Sequence, residues 1–151
     1  LTKDGPKVIE YNCRFGDPET QVVLPLLKSD LLEIMLDIAD GKLDAKKVEF
    51  SDKNACCVVM ASNGYPKKYE TGFSLTYPDD ILAFVAGAKI KVNNLVTGGG
   101  RVIGVTAVDS ALGGAIEKAY KDVLKVKFEN AFYRKDIGQK ALNALKITKN
   151  K

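Results

Sequence analysis

Glu10 and Asn12 are the first residues along the chain whose types and spacing could do chemistry. They lie at the end of a stretch, Lys7 to Tyr11, that is predicted as a strand: Val8 and Ile9 are β-branched and Gly5-Pro6 punctuates its start. Side chains two apart on a strand point the same way. A carboxylate and an amide oxygen on one face can ligate a hard divalent cation such as Mg²⁺; the same pair can equally stand solvated at a strand end. The polar run Arg14-Phe15-Gly16-Asp17-Pro18-Glu19-Thr20-Gln21 follows. It offers a guanidinium, a flexible glycine and backbone N–H groups at a helix start, which suits an anionic ligand. The plainer reading is a capped connection with a surface salt bridge. Thr97-Gly98-Gly99-Gly100-Arg101 could cradle a phosphate through backbone N–H groups, or form a tight turn between strands. Tyr133-Arg134-Lys135-Asp136 gathers basic groups, either for a substrate phosphate or as exposed ion pairs of small energetic worth.

Composition narrows the chemistry. Histidine is absent, which removes Ser-His and Cys-His nucleophile systems and imidazole metal sites. Carboxylates, amides, Arg, Lys and backbone donors are left. Cys13, Cys56 and Cys57 are odd in number and two are adjacent in an apolar run, so they read as buried free thiols of a reducing cytoplasm. The net charge is +4 with scattered lysines. The basic end (Lys146, Lys149, Lys151) reads as a solvated tail, and no basic stripe interleaved with aromatics points to nucleic acid. No apolar run is long enough to span a bilayer, and no signal-peptide pattern appears, so a cytoplasmic location without membrane contact is expected. The chain starts at Leu1 without Met, and a processed or cut-out piece is expected.

The elements that would position these groups follow from periodicity and punctuation. Asp17 is placed to cap a short helix with Pro18 at its first position, running to about Leu27 with Pro25 breaking it. Ser29 or Asp30 can cap a second helix through Asp40, stopped at Gly41. Leu31, Ile34, Met35 and Ile38 share one face of it and are expected to pack in a core. Beyond Lys42 the pattern turns to strands: Val48–Phe50, Ala55–Ala61, Ile81–Ala86, Lys89–Val92, Leu95–Thr97 and Arg101–Val108. Asn63-Gly64-Tyr65-Pro66 is a turn, and Asn93-Asn94 signals a hairpin. Ser110 is expected to cap a helix from Leu112 to about Leu124. Phe128–Tyr133 reads as extended, and Ile137–Leu145 as a last helix. A boundary is expected near residues 41–46.

The run from Val8 to Gln21 resembles the signature of the phosphoribosylamine–glycine ligases, the glycinamide ribonucleotide synthetases of the ATP-grasp group. The likeness continues in Leu24-Pro25-Leu26-Leu27-Lys28-Ser29-Asp30-Leu31, Met60-Ala61-Ser62-Asn63-Gly64-Tyr65-Pro66, Gly99-Gly100-Arg101-Val102, Val105-Thr106-Ala107 and Tyr133-Arg134-Lys135-Asp136-Ile137-Gly138. These blocks span nearly the whole chain. Cys13 stands where an apolar residue is expected, and cysteine packs like a small hydrophobe.

The resemblance implies an α+β chain: residues 1–45 as the end of an ATP-grasp domain, and 46–151 as a small, mainly antiparallel β domain with helices. It implies ATP-dependent joining of glycine to 5-phosphoribosylamine, with Mg²⁺ or Mn²⁺ held by Glu10 and Asn12. It places Arg14 and Asp17 as catalytic groups, and Arg14, Gly16, Asp17, Pro18, Glu19, Gly99, Gly100 and Arg101 beside the substrates. The family's N-terminal domain, ATP lid, adenine-gripping strands and a further acidic metal ligand have no counterpart in these residues, so the remainder of the ligase chain is an expected partner. The competing class is a non-catalytic binding or interaction module.

Overall fold

The computed structural model describes residues 1–149, without the side chains of residues 46 and 147–149; Lys151 of the expected basic tail lies outside that range. Two short helices come first, α1 (Thr20–Val23) and α2 (Leu31–Ala39). Four strands follow: β1 (Asn54–Ser62), β2 (Leu82–Val85), β3 (Ala88–Lys91) and β4 (Asn94–Thr97). After them come β5 (Arg101–Asp109), α3 (Leu112–Val123), β6 (Ala131–Phe132) and α4 (Gln139–Lys149).

The β-branched and aliphatic content of β1 and β5 makes them the centre of a sheet ordered β2-β5-β1-β6, antiparallel throughout. Register assigns the faces. Cys56, Val58 and Met60 stand opposite Ala107, Val105 and Ile103. Directly opposed residues share a face, and these six are buried with Ala115, Ile116, Ala119 and Val123 of α3. The other face carries Cys57, Gly104 and Thr106, with Leu82 and Phe84 paired alongside. It is covered by the chain before residue 28: the Thr106 hydroxyl donates to the Gln21 carbonyl at 2.9 Å. Covering on both sides explains why residues 102–107 are buried without interruption. Each large aliphatic side chain removed from water here contributes about 1.5–3 kcal/mol.

Several expectations are corrected. Lys7–Tyr11 forms no strand, and Ile9 is 98% exposed. Its composition is right, but a strand needs a neighbour for its backbone groups, and among the described residues none is paired with it. Val48–Phe50 contributes a single bridge, Leu27 to Phe50, and Phe128–Tyr133 only the two residues of β6. Asp17 does not cap α1, whose N-cap is Glu19 with no side-chain hydrogen bond, because its carboxylate is drawn to Arg101. Asp30 does cap α2, accepting from the Leu32 and Glu33 N–H groups at 2.7 and 3.2 Å. Gly41 ends that helix region at φ +67°. The face Leu31, Ile34, Met35, Ile38 is not a core: no α2 residue is buried, and Met35 and Ile38 are exposed.

At α3 the expected Ser110 cap does not form: the N-cap is Ala111, with no side-chain cap hydrogen bond, and Asp109 instead closes the turn just before the helix. Its carboxylate accepts from the Ala111 N–H at 2.9 Å and from the Ser110 hydroxyl at 3.3 Å. Gly114 leaves room for it, since a Cβ there would collide with the Asp109 carboxylate. The β3–β4 hairpin turns one residue earlier than Asn93-Asn94, on Val92 (φ +46°) and Asn93 (φ +63°). Asn94 already pairs with Lys91, because burial of Val96 and Thr97 on β4 sets the register.

Candidate active-site loop and glycine turn

Glu10 and Asn12 retain the geometry expected of an extended i, i+2 pair even without a neighbouring strand. The Asn12 amide donates to Glu10 Oε1 at 3.2 Å. Asn12 Oδ1 and the second Glu10 oxygen remain as hard donors, a set suited to Mg²⁺ or Mn²⁺. It is only part of a coordination sphere: among the described residues no cluster of three His, Cys, Asp or Glu could hold a metal ion.

The loop then bends back on itself. Arg14 donates to the Phe15 carbonyl at 2.8 Å. Gly16 is buried, and a side chain there would meet the Glu19 carboxylate, which folds over it. The α1 helix opens on the Gly16 carbonyl, which accepts from the Thr20 N–H at 2.9 Å. Asp17 and Pro18 are joined by a cis peptide bond.

Asp17 is where loop and sheet meet. Arg101, at the start of β5, donates to the Asp17 carbonyl at 3.1 Å and pairs with Asp17 Oδ2 at 3.1 Å. The Gln21 amide donates to Asp17 Oδ1 at 2.9 Å. The structure thus brings two of the sequence-predicted groups together across the chain, the Arg14–Glu19 loop and the Gly99-Gly100-Arg101 turn. The turn itself is tightly built. The N–H groups of Gly98 and Gly99 both donate to the Gly87 carbonyl, at 2.7 and 3.0 Å. The Gly99 and Gly100 carbonyls accept from the Ser62 hydroxyl and N–H at 3.1 and 2.8 Å. A Cβ on Gly100 would run into the Tyr65 ring. The glycines therefore serve close packing, and two of the amides expected to cradle a phosphate are already engaged.

Arg134 makes a bidentate pair with Asp136 at 2.9 and 2.7 Å, and that pair lies exposed. The segment is held instead by Tyr120, whose hydroxyl donates to the Arg134 carbonyl at 2.8 Å and accepts from the Ile137 N–H at 3.0 Å. The thiols divide by place. Burial, reinforced by neighbouring Cys57, pushes Cys56 up to about 11. Burial also raises Cys57, partly opposed by a hydrogen bond with Thr106 and aided by the charge of Asp17. Cys13 is exposed, contrary to the expectation of burial.

Sequence reasoning missed Gln21, Thr106 and Ser62. Gln21 lies four residues after Asp17, the helical spacing at which side chains meet. Thr106 and Ser62 interrupt otherwise apolar strands, which is the available sign that a buried hydroxyl has a partner to satisfy.

A four-stranded antiparallel sheet with α3 on one face and the residue 16–27 segment on the other is an α+β unit. Its polar loop is laced to a glycine turn. The model of the family described as phosphoribosylglycinamide synthetase, C domain, matches residues 55–140, and the chain belongs to that family. A phosphoribosylamine–glycine ligase of Caldanaerobacter subterraneus is 50% identical over 91% of this chain and 34% of its own length. The human trifunctional purine biosynthetic protein adenosine-3 is 49% identical over 94% of this chain and 15% of its own length. The crystal structure of phosphoribosylamine–glycine ligase from Thermotoga maritima superposes with a TM-score of 0.79 at 38% identity, covering 91% of this chain and 34% of that one. The chain thus spans about a third of the length of the single-function ligases it matches. No helix among the described residues is long and apolar enough to cross a membrane.

Proposed function

We propose that this chain forms one side of the active site of an ATP-dependent ligase that joins glycine to 5-phosphoribosylamine, giving glycinamide ribonucleotide, ADP and phosphate in purine biosynthesis. The observation that carries this reading is the juxtaposition of the Arg14–Glu19 loop with the Gly99–Arg101 turn in a chain whose ligase relatives are about half identical to it. Residues 1–45 are the end of an ATP-grasp domain in this proposal and 46–151 the C-terminal domain. The partner is the remainder of the ligase chain, against which the apolar face of α2 packs, and the site of action is the cytoplasm.

The chemistry needs no histidine. A glycine carboxylate oxygen attacks the γ-phosphorus of ATP, the bond to the bridging oxygen breaks, and ADP leaves with the electron pair. The amine nitrogen of phosphoribosylamine then attacks the acyl carbon of glycyl phosphate, phosphate departs, and the nitrogen gives up a proton. Such steps depend on positioning and charge stabilisation. Glu10 and Asn12 would hold a Mg²⁺ or Mn²⁺ ion, which when bound offsets charge on the ATP phosphates. Arg14 presents a fork suited to glycine's carboxylate or the ribose phosphate. Asp17 acts with it at the reacting end, and Gly16, Pro18 and Glu19 line the substrates. The Gly99-Gly100 turn, packed on Gly87 and Tyr65, would border the substrate through its backbone, and the Arg101 nitrogen not used on Asp17 would be available to its phosphate.

The test is ADP release by the full-length gene product that carries this chain, measured with and without each substrate. Release requiring both glycine and phosphoribosylamine is expected. Full-length protein that binds ATP but releases no ADP under those conditions would move the chain to the class of non-catalytic binding modules.

A further inference from the structure

Gln21 is a polar side chain in a place where a hydrophobic one would be less costly. Its Oε1 is buried and, among the described residues, accepts no hydrogen bond, and an unsatisfied buried acceptor costs stability. Its other end donates from Nε2 to Asp17 Oδ1 at 2.9 Å. The backbone of the same residue is gripped by Thr106, which is wholly buried in β5 and donates its hydroxyl to the Gln21 carbonyl at 2.9 Å. With Arg101 on Oδ2 and on the main-chain carbonyl, Asp17 has both carboxylate oxygens and its backbone oxygen engaged.

We propose that Gln21 and Thr106 are positioning residues for the ligation: Thr106 sets the place of Gln21, Gln21 and Arg101 together fix the Asp17 carboxylate, and the fixed Asp17 holds the Arg14–Glu19 loop in register with the glycine turn. The proposal rests on the reading that this loop borders the substrates. Its alternative is an ordinary i, i+4 side-chain pair at the start of a short helix, with no bearing on the reaction.

The two readings separate at Gln21→Glu in the full-length protein. A protonated glutamic acid has the shape of glutamine and can donate its O–H to Asp17; an ionised one faces Asp17 as a like charge. The charged or titratable groups around position 21 are Asp17 and Glu19 on the loop, Arg101 on β5 and Cys57 on β1. Cys57 stays neutral through this range because burial raises it. Kinetics between about pH 5.5 and about pH 8.5, above the ordinary carboxyl range, are expected to show kcat/KM for phosphoribosylamine reduced about tenfold to a hundredfold at the alkaline end, the size of a lost charge-assisted bond. The deficit closes toward wild type as the pH falls. Gln21→Met, which cannot donate, loses a similar factor at every pH. Thr106→Ser, which keeps the hydroxyl, stays within about threefold of wild type while Thr106→Val falls about tenfold; this pair decides the matter should Gln21→Glu not fold. A Gln21→Glu enzyme with wild-type kinetics throughout, a deficit that does not change with pH, or Thr106→Ser and Thr106→Val losing equally, overturns the positioning role while leaving the ligase reading intact. A wild-type enzyme without ligation removes both.

Discussion

At the residue scale, the two ends of the polar loop differ in what holds them. Asp17 is fastened on every oxygen, whereas among the described residues the side chains of Glu10, Asn12 and Arg14 hydrogen-bond only within one or two positions along the chain. That freedom suits groups that meet a ligand, and substituting them should alter kinetics far more than stability. Glu10→Ala in the full-length protein is expected to remove most turnover while Asn12→Ala mainly weakens the apparent Mg²⁺ affinity, because loss of a charged oxygen ligand is the larger change. Near-normal turnover of Glu10→Ala at limiting Mg²⁺ excludes the metal role. Arg14→Lys is expected to raise the Michaelis constant of glycine or phosphoribosylamine about tenfold, since lysine cannot supply two parallel donors. Unchanged constants for both substrates return Arg14 to the loop's internal bonding.

At the scale of elements, α2 sets the clearest problem. Its cap, its stop and its apolar spacing were all legible, yet Leu32, Met35, Leu36 and Ile38 lie exposed, Leu36 at 58%. Periodicity reports that a face is to be covered, not by what. The same holds for Lys7–Tyr11, whose residues specify a strand without specifying its neighbour. In contrast β1, β5 and α3 were readable nearly to their ends, because their partners lie within these residues and each local preference agrees with the packing. The tie between Asp17 and Arg101 was not readable: it joins residues 84 positions apart, and neither residue type nor local spacing names the partner. On the proposal that the rest of the ligase covers the apolar face of α2, Ile38→Ser should leave the melting temperature of the 151-residue polypeptide almost unchanged, as exposed substitutions do. The same change in the full-length protein should cost about 1.5–3 kcal/mol. Equal shifts in the two proteins count against the covering.

At the scale of the whole molecule, one charge cluster braces the far side of the sheet. Asp122 is buried on α3; Lys118 contacts it at 2.8 Å, and Lys125 at 2.9 Å while also reaching Asp80 at 2.9 Å. Burial alone would raise the Asp122 carboxyl, but hydrogen bonds from Lys118 and Lys125 outweigh it and hold it below the usual range. A carboxyl lowered by folding contributes stability that is present above the unfolded value, about pH 3.9, and is lost as the pH falls through the folded one. Asp122→Asn should therefore melt earlier at neutral pH, by about 1.5 kcal/mol given that both lysines are partly solvated, and should flatten the acid limb of the stability curve. An acid limb identical to wild type rules the cluster out as its source.

The double covering of the sheet also bears on how such a unit can be moved between proteins. Residues 16–27 belong by position to the first part of the chain, yet they roof the face that carries Gly104, Thr106 and Phe84. A polypeptide begun at residue 46 would expose that face to water. It should dimerise or aggregate and melt well below one begun at Gly16, as sedimentation and calorimetry of the two would record. Grafting, tagging or circular permutation should accordingly respect a seam ahead of Gly16, leaving the roof attached to the room it shelters.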